Sequence, residues 1–156
     1  MASAVERIAA QCNDGSGGYV CFANTHIAVM AREDANFRDV VNGSLLTLPD
    51  GKPVYLFGKL KGLSRLEHIP GPDFFQQLIG FEKKPKLRHY FYGGKPEVLE
   101  CLIGNLRSRF PQADIVGSES PPFRTLTEEE EYGAIERIRT VRPDVVWVGL
   151  GAPKQE

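Results

Sequence analysis

The hydrophobic pattern of this chain changes period repeatedly, and each change marks an element. Residues 1–11 can form a short helix, and Asn13-Asp14-Gly15-Ser16-Gly17-Gly18 is a turn or flexible stretch. Residues 19–23 are a short apolar run with β-branched and aromatic character, which reads as a strand. Asn24 or Thr25 can cap the helix that continues through Ile27, Val29, Met30 and Ala31, a region closed by residues 39–42. Residues 44–48 read as a second strand, stopped by Pro49-Asp50-Gly51. Residues 54–60 are apolar again and predict a helix starting near Pro53, because proline is tolerated in a first helical turn. His68-Ile69-Pro70-Gly71-Pro72-Asp73 is a loop, with Asp73 the candidate cap of a helix over residues 74–80 that buries Phe74, Phe75, Leu78 and Ile79.

The second half repeats the alternation. Lys83-Lys84-Pro85-Lys86 is a basic, exposed break, and His89-Tyr90-Phe91-Tyr92 is a strand. Gly93-Gly94-Lys95-Pro96 turns it into a helix over residues 96–110. Helical spacing there puts Val98, Leu99, Leu102, Ile103, Leu106 and Phe110 on one side, and Pro111 ends it. Residues 114–117 are a strand and Ser120-Pro121-Pro122-Phe123 a stiff loop. Thr127 with Glu130 makes a capping box for a helix that carries Ile135, Ile138 and Val141 and runs to Arg142. Residues 145–150 are uninterruptedly apolar, the pattern of a strand covered on both faces.

Strands and helices in alternation predict an α/β fold: a Rossmann-like, mostly parallel sheet with helices on both faces. Residues 1–18 read as a helical, flexible lead-in and residues 19–156 as one α/β domain. Ligands of such sheets gather beyond the carboxyl ends of the strands. Asn24, Asp50, Gly93-Gly94-Lys95, Gly117-Ser118 and residues 149–156 all follow predicted strands, so they are expected on one rim.

Composition narrows the class. The chain has 156 residues, 42% of them hydrophobic, enough for a real core. Nineteen basic residues stand against twenty acidic ones, for a formal charge of −1, so there is no basic excess of the kind that binds nucleic acid. Cys12, Cys21 and Cys101 are odd in number and form no C-x-x-C, which argues against a disulfide framework or a zinc site and fits a reducing cytoplasm. His26, His68 and His89 have no metal-ligand spacing, and no metal is expected; His68 and His89 read as surface or strand histidines. Residues 1–18 lack the apolar segment of a signal peptide. The longest apolar run, residues 145–153, is about half of the roughly 20 residues a spanning helix needs.

The strand ends carry the candidate chemistry, each beside a plainer reading. Gly93, Gly94 and Lys95 open a helix directly after a strand. They form either a phosphate cradle with a positive charge or a tight turn. They are no Walker A motif, since G-x-x-x-x-G-K-[ST] is absent. Gly149-x-Gly151 resembles the start of a dinucleotide fingerprint, but Lys154 occupies the third glycine's place, so a nicotinamide cofactor is rejected. Those glycines instead let a loop pass close to a ligand. Asp50 is either a carboxylate that takes a proton from a sugar hydroxyl or a member of a Pro-Asp-Gly turn. Asn24 is a helix cap or a substrate-orienting amide, and His26 a ligand donor or a solvent-facing side chain. No G-x-S-x-G elbow is present, which disfavours a serine hydrolase.

Six segments, taken together, resemble the WecG/TagA/CpsF family of bacterial glycosyltransferases, glycosyltransferase family 26. They are Asn24-Thr25-His26, Leu48-Pro49-Asp50-Gly51-Lys52-Pro53, Pro70-Gly71-Pro72-Asp73, Phe91-Tyr92-Gly93-Gly94-Lys95-Pro96, Ser120-Pro121-Pro122-Phe123 and Gly149-Leu150-Gly151-Ala152-Pro153-Lys154-Gln155-Glu156. The resemblance covers about residues 19–156. It implies inverting transfer of a sugar, often N-acetylmannosamine or its uronic acid, from a UDP-sugar to a polyprenyl-diphosphate-linked acceptor, with no metal or other cofactor. The products of such transfer feed wall teichoic acid, enterobacterial common antigen, or capsule and exopolysaccharide. The resemblance further implies a cytoplasmic protein peripheral to the inner face of the plasma membrane, and it is compatible with a homo-oligomer. By motif, Asp50 becomes the base that deprotonates the acceptor. Asn24, His26, Gly71, Gly149, Gly151, Lys154 and Gln155 become substrate-site positions. Helix-terminus physics, not the motif, puts Gly93, Gly94 and Lys95 near the nucleotide diphosphate in this reading. Phe22 stands where many members have threonine. Members continue past the Pro-Lys-Gln-Glu segment, so the resemblance implies a C-terminally incomplete sheet. The alternative it leaves open is a truncated nucleotide-sugar-binding module without turnover.

Overall fold

The computed structural model describes residues 1–82 and 86–156, so most of the predicted Lys83-Lys84-Pro85-Lys86 break lies outside the described residues. The chain divides into two compact units, Met1–Leu78 with Ala152–Lys154 and Glu156, and Ile79–Gly151 with Gln155. Both are α/β, with parallel strands joined through helices, as the alternation predicts. Among the described residues the strands pair as two sheets, β1-β2 and β4-β3-β5, where one was expected. Pairing is a long-range property that local periodicity does not carry. Each unit accordingly has its own strand ends.

In the first unit α1 (Ala2–Asp14) buries Val5, Ile8 and Ala9, the i, i+3, i+4 stripe of an amphipathic helix, and Gly15 ends it at φ 74°. Strands β1 (Val20–Ala23) and β2 (Leu46–Pro49) pair in parallel from Val20↔Leu46 to Ala23↔Pro49. The connection between them is two helices, α2 (Thr25–Glu33) and α3 (Ala35–Asn42), where one region was read. Asp34 is the reason: its backbone is extended, and its carboxylate accepts the Asn36 and Phe37 N–H groups at 2.8 and 3.1 Å, capping α3. Cys21, Ile27, Phe37 and Val41 form one buried hydrophobic cluster of this unit, with Met30, Ala31 and Ala152 packed on it. Burial pushes the Cys21 thiol up. Helices α4 (Lys52–Leu60) and α5 (Gly71–Ile79) follow β2. Asp73 lies in the first turn of α5 and not before it, since the helix already starts at Gly71. Phe74, Leu78 and Ile79 are buried as predicted, and Phe75 is half-buried.

In the second unit β3 (Arg88–Gly93) is central, flanked in parallel by β4 (Asp114–Glu119) and β5 (Val145–Gly149). Helix α6 (Pro96–Arg109) buries Leu99 and Leu106, but Val98 is exposed. Helix α7 (Glu128–Val141) carries the predicted capping box: Thr127 Oγ1 accepts Glu130 N–H at 3.2 Å, and Glu130 accepts Thr127 N–H at 2.9 Å. Its buried residue is Ala134, whereas Ile135 is exposed. The expectation that β5 is covered on both faces fails. Val146 and Val148, two apart and so on one face of the strand, are exposed, and that face is not covered among the described residues; β5 is also an edge strand, paired with β3. His89, read as a surface or strand histidine, is a strand residue only 2% exposed.

Candidate active site

In the first unit the ends of β1 and β2 are tied to each other. Asp50 and Gly51 both donate their N–H groups to the Ala23 carbonyl, at 3.0 and 3.3 Å. Asn24 follows directly and caps α2, its Oδ1 accepting Ile27 N–H at 3.1 Å. A Cβ on Gly51 would meet Asn24 Cα at 3.2 Å, so this close approach of two strand ends favours the glycine of Pro-Asp-Gly. The Asp50 side chain reaches to α5: its Oδ1 accepts the Gly71 N–H at 2.7 Å. That donor lies in the first helical turn, where N–H groups have no intrahelical partner and attract negative charge. His68 Nε2 lies 2.7 Å from the Asp50 carbonyl oxygen, and Ile69 N–H donates to the Pro49 carbonyl at 2.9 Å. The loop over residues 68–71 is thus strapped along the end of β2.

Asn24, Asp50 and Gly71, singled out separately in the sequence, are therefore brought together. His26 is not drawn into them. It is exposed on the first turn of α2 and makes no hydrogen bond among the described residues. The structure adds His68 and Phe22, whose ring meets Phe74 edge to face at 5.6 Å beside Gly71. His68 carried no sequence signal, because its partner is a backbone carbonyl 18 positions away. Chemically, this corner offers a half-buried carboxylate with Oδ1 engaged by a backbone N–H. Among the described residues its Oδ2 accepts no hydrogen bond and is available to a substrate proton.

In the second unit the glycine turn is built against β5. Gly93 has φ 121° and Gly94 φ 78°, conformations that favour glycine. A Cβ on Gly93 would lie 2.7 Å from the Gly149 carbonyl carbon and 3.0 Å from its nitrogen. Gly94 N–H donates to the Gly149 carbonyl at 3.1 Å, and Ser120 Oγ donates to the Gly94 carbonyl at 2.6 Å. Lys95 occupies the N-cap position of α6 with no side-chain cap, and Pro96 opens the helix. The exposed Gly94 and Lys95 stand at a helix N-terminus, a setting suited to an anion. Gly93, Gly94 and Gly149 are thus neighbours.

Beyond Gly149 the chain turns at Gly151, φ 79°. The Gln155 side chain folds back so that Oε1 accepts Gly151 N–H at 3.1 Å, and Gln155 N–H donates to the Gly151 carbonyl at 3.2 Å. Lys154 is exposed. Beside this sheet, Arg137 makes two hydrogen bonds to Glu119, at 2.7 and 3.0 Å, which hold that carboxyl below the usual carboxylate range. Tyr90 donates to Glu119 at 3.4 Å, and burial, reinforced by that carboxylate, pushes the Tyr90 and Tyr92 phenols up. Sequence reasoning passed over this group, since its members come from β3, β4 and α7. Among the described residues no group of three or more His, Cys, Asp or Glu is placed to hold a metal ion.

Parallel α/β units with a carboxylate and glycine turns at the strand ends define a class by fold: Rossmann-like α/β proteins, in which strand-end loops are the usual place for ligands. The chain belongs to the glycosyl transferase WecG/TagA/CpsF family, whose sequence model matches residues 1–156. It is 32% identical over 142 residues to a Bacillus subtilis protein named N-acetylglucosaminyldiphosphoundecaprenol N-acetyl-beta-D-mannosaminyltransferase, a match covering 90% of this chain and 53% of that protein. A protein of the same name from Bacillus spizizenii is 28% identical over 144 residues, covering 92% and 54%. The chain spans about half the length of these curated relatives.

Proposed function

We propose that this protein transfers an N-acetylmannosamine-type sugar from a UDP-sugar to a polyprenyl-diphosphate-linked acceptor, with Asp50 as general base and no metal. The acceptor hydroxyl oxygen attacks the anomeric carbon as Asp50 takes its proton. The bond from that carbon to the diphosphate oxygen breaks, UDP leaves with the electron pair, and the configuration inverts. The names of the two Bacillus relatives support the sugar and the acceptor class. The single observation that supports the base is the Asp50 carboxylate at the end of β2, held through one oxygen by Gly71 N–H. A base fixed by a backbone donor loses little freedom on meeting its proton donor. Considered by itself, the second unit has Gly93, Gly94 and Lys95 at the N-terminus of α6, a setting suited to an anion.

The test is Asp50→Asn. An asparagine Oδ1 still accepts the Gly71 N–H, so the loop stays strapped while the base is lost. UDP release in the presence of a polyprenyl-diphosphate-linked N-acetylglucosamine should fall by about 10²–10⁴, with UDP-sugar binding retained. Undiminished release by the variant removes Asp50 as the base. UDP-sugar binding by the unaltered protein without any release would instead favour a binding module without turnover.

A further inference from the structure

Helix α4 is turned the wrong way round for a helix that serves only its own core. An amphipathic helix ordinarily buries its apolar stripe. Here Pro53, Leu56, Phe57 and Leu60, at i, i+3, i+4 and i+7, are all exposed, with Leu56 at 56%, Phe57 at 62% and Leu60 at 85%. Leu63, just past the helix, is 56% exposed and extends the patch. The inner side is made by Val54 and Tyr55, both half-buried, and by the buried Gly58, whose missing side chain leaves room for Leu66.

Charge decides what such a face meets. From Gly51 to Leu66 the chain has four cations, Lys52, Lys59, Lys61 and Arg65, and no acidic residue, in a protein of formal charge −1. At 100° per residue, Lys52 and Lys59 fall on one flank of the apolar stripe and Lys61 on the other. Lys59 Nζ lies 5.7 Å from the Tyr55 ring centre and Lys61 Nζ 5.4 Å from that of Phe57, so both cations stay close to the aromatic rings. Protein interfaces deplete lysine around their apolar centres. An apolar stripe edged by lysines is instead the pattern of a helix lying in the surface of an anionic bilayer.

We infer that the outer face of α4, with Leu63 and Arg65, is a docking surface for an anionic lipid bilayer. Leu56, Phe57 and Leu60 enter the acyl boundary, and the lysines meet the headgroups. The choice of a lipid surface also rests on the reading above, in which the acceptor is membrane-borne. Helix α4 begins at Lys52, two residues after Asp50, and its nine residues span about 14 Å. Docking by this face therefore holds the candidate base within one short helix of the bilayer.

The experiment is sedimentation of the protein with sucrose-loaded vesicles, either phosphatidylcholine alone or phosphatidylcholine with phosphatidylglycerol, with no sugar or acceptor present. Uptake on the anionic vesicles and little on the neutral ones is expected. The triple variant Leu56→Ser/Phe57→Ser/Leu60→Ser should lose that uptake with an unchanged circular dichroism spectrum. Lys59→Gln/Lys61→Gln should weaken it about 25-fold, at about fivefold per cation. The inference is overturned if the unaltered protein ignores anionic vesicles, or if both variants bind as it does. It is equally overturned if gel filtration shows a dimer that the serine variant dissociates while no vesicle uptake occurs, since the face then belongs to a second copy. Failure here is separable from failure of the transferase reading. Sugar transfer to a detergent-solubilised acceptor without vesicle uptake overturns only the docking surface. Vesicle uptake without sugar transfer overturns only the enzyme.

Discussion

His89 should make this protein acid-labile in a defined pH window. Its side chain is buried in the centre of the three-stranded sheet, and Trp147 Nε1–H donates to its Nδ1 at 3.3 Å. The neutral ring therefore carries its proton on Nε2. A proton added at Nδ1 would set two donors against each other. Burial pulls the imidazole from its ordinary 6.5 down to about 4, with Asp144 and Asp114 working the other way. The unfolded chain thus binds the proton more tightly than the folded one. Stability from this site is intact above pH 6.5, drains as pH falls, and is fully lost below about pH 4. At about 1.4 kcal/mol per pH unit, the loss across the window is about 3 kcal/mol. That is a sizeable part of the roughly 5–15 kcal/mol that holds a typical domain together. Trp147 is the only tryptophan, so its fluorescence reports urea unfolding beside the titrating ring. Midpoints measured at pH 7, 5.5 and 4.5 should fall more steeply for the unaltered protein than for His89→Phe, which keeps a ring and removes the titration. Carboxylates titrate in both proteins and cancel in the comparison. Equal pH slopes for the two would refute the buried, neutral histidine.

Two further predictions test the strand ends. Gly93→Ala places a methyl group against the Gly149 backbone at φ 121° and should lower stability by at least about 2 kcal/mol. Gly94→Ala, with open space around it at φ 78°, should cost only about 1 kcal/mol; equal thermal shifts for the two would show that the Gly149 contact is unimportant. Asn24→Ser keeps a good helix cap, so melting should move by less than about 0.5 kcal/mol. Sugar transfer should nevertheless fall, because the amide is lost from beside Asp50. A variant that transfers normally would make Asn24 a cap and nothing more.

Much of the local structure was legible in the sequence because its causes are local. The Thr127–Glu130 capping box, the Asn24 cap, the first-turn proline of α4 and the glycine turn after β3 are short-range geometry, and all are found where the chain predicts them. The break at Asp34 was missed because hydrophobic spacing runs across it. It was recoverable, since an aspartate ahead of a helical stripe is a cap signal. Asp50, Asn24 and Gly71 were visible as residues, but not as a cluster. Their proximity depends on the parallel pairing of β1 with β2 and on a loop strapped back to Pro49.

The amino-acid sequence by itself therefore determined the α/β class, most element boundaries, the turn residues and the family, all of which are written in spacing and short motifs. Only the tertiary structure decided which faces are covered. The apolar pattern of β5 looked doubly buried, yet Val146 and Val148 are exposed at a sheet edge. The sequence marked residues 54–60 only as an apolar helix, and the structure shows its stripe facing outward between lysines. His89 looked like an ordinary strand histidine, yet it is sealed beside Trp147. The physical reason is common to the three. Periodicity specifies which residues share a face, but what lies against that face is set by strand pairing and packing between residues far apart in the chain.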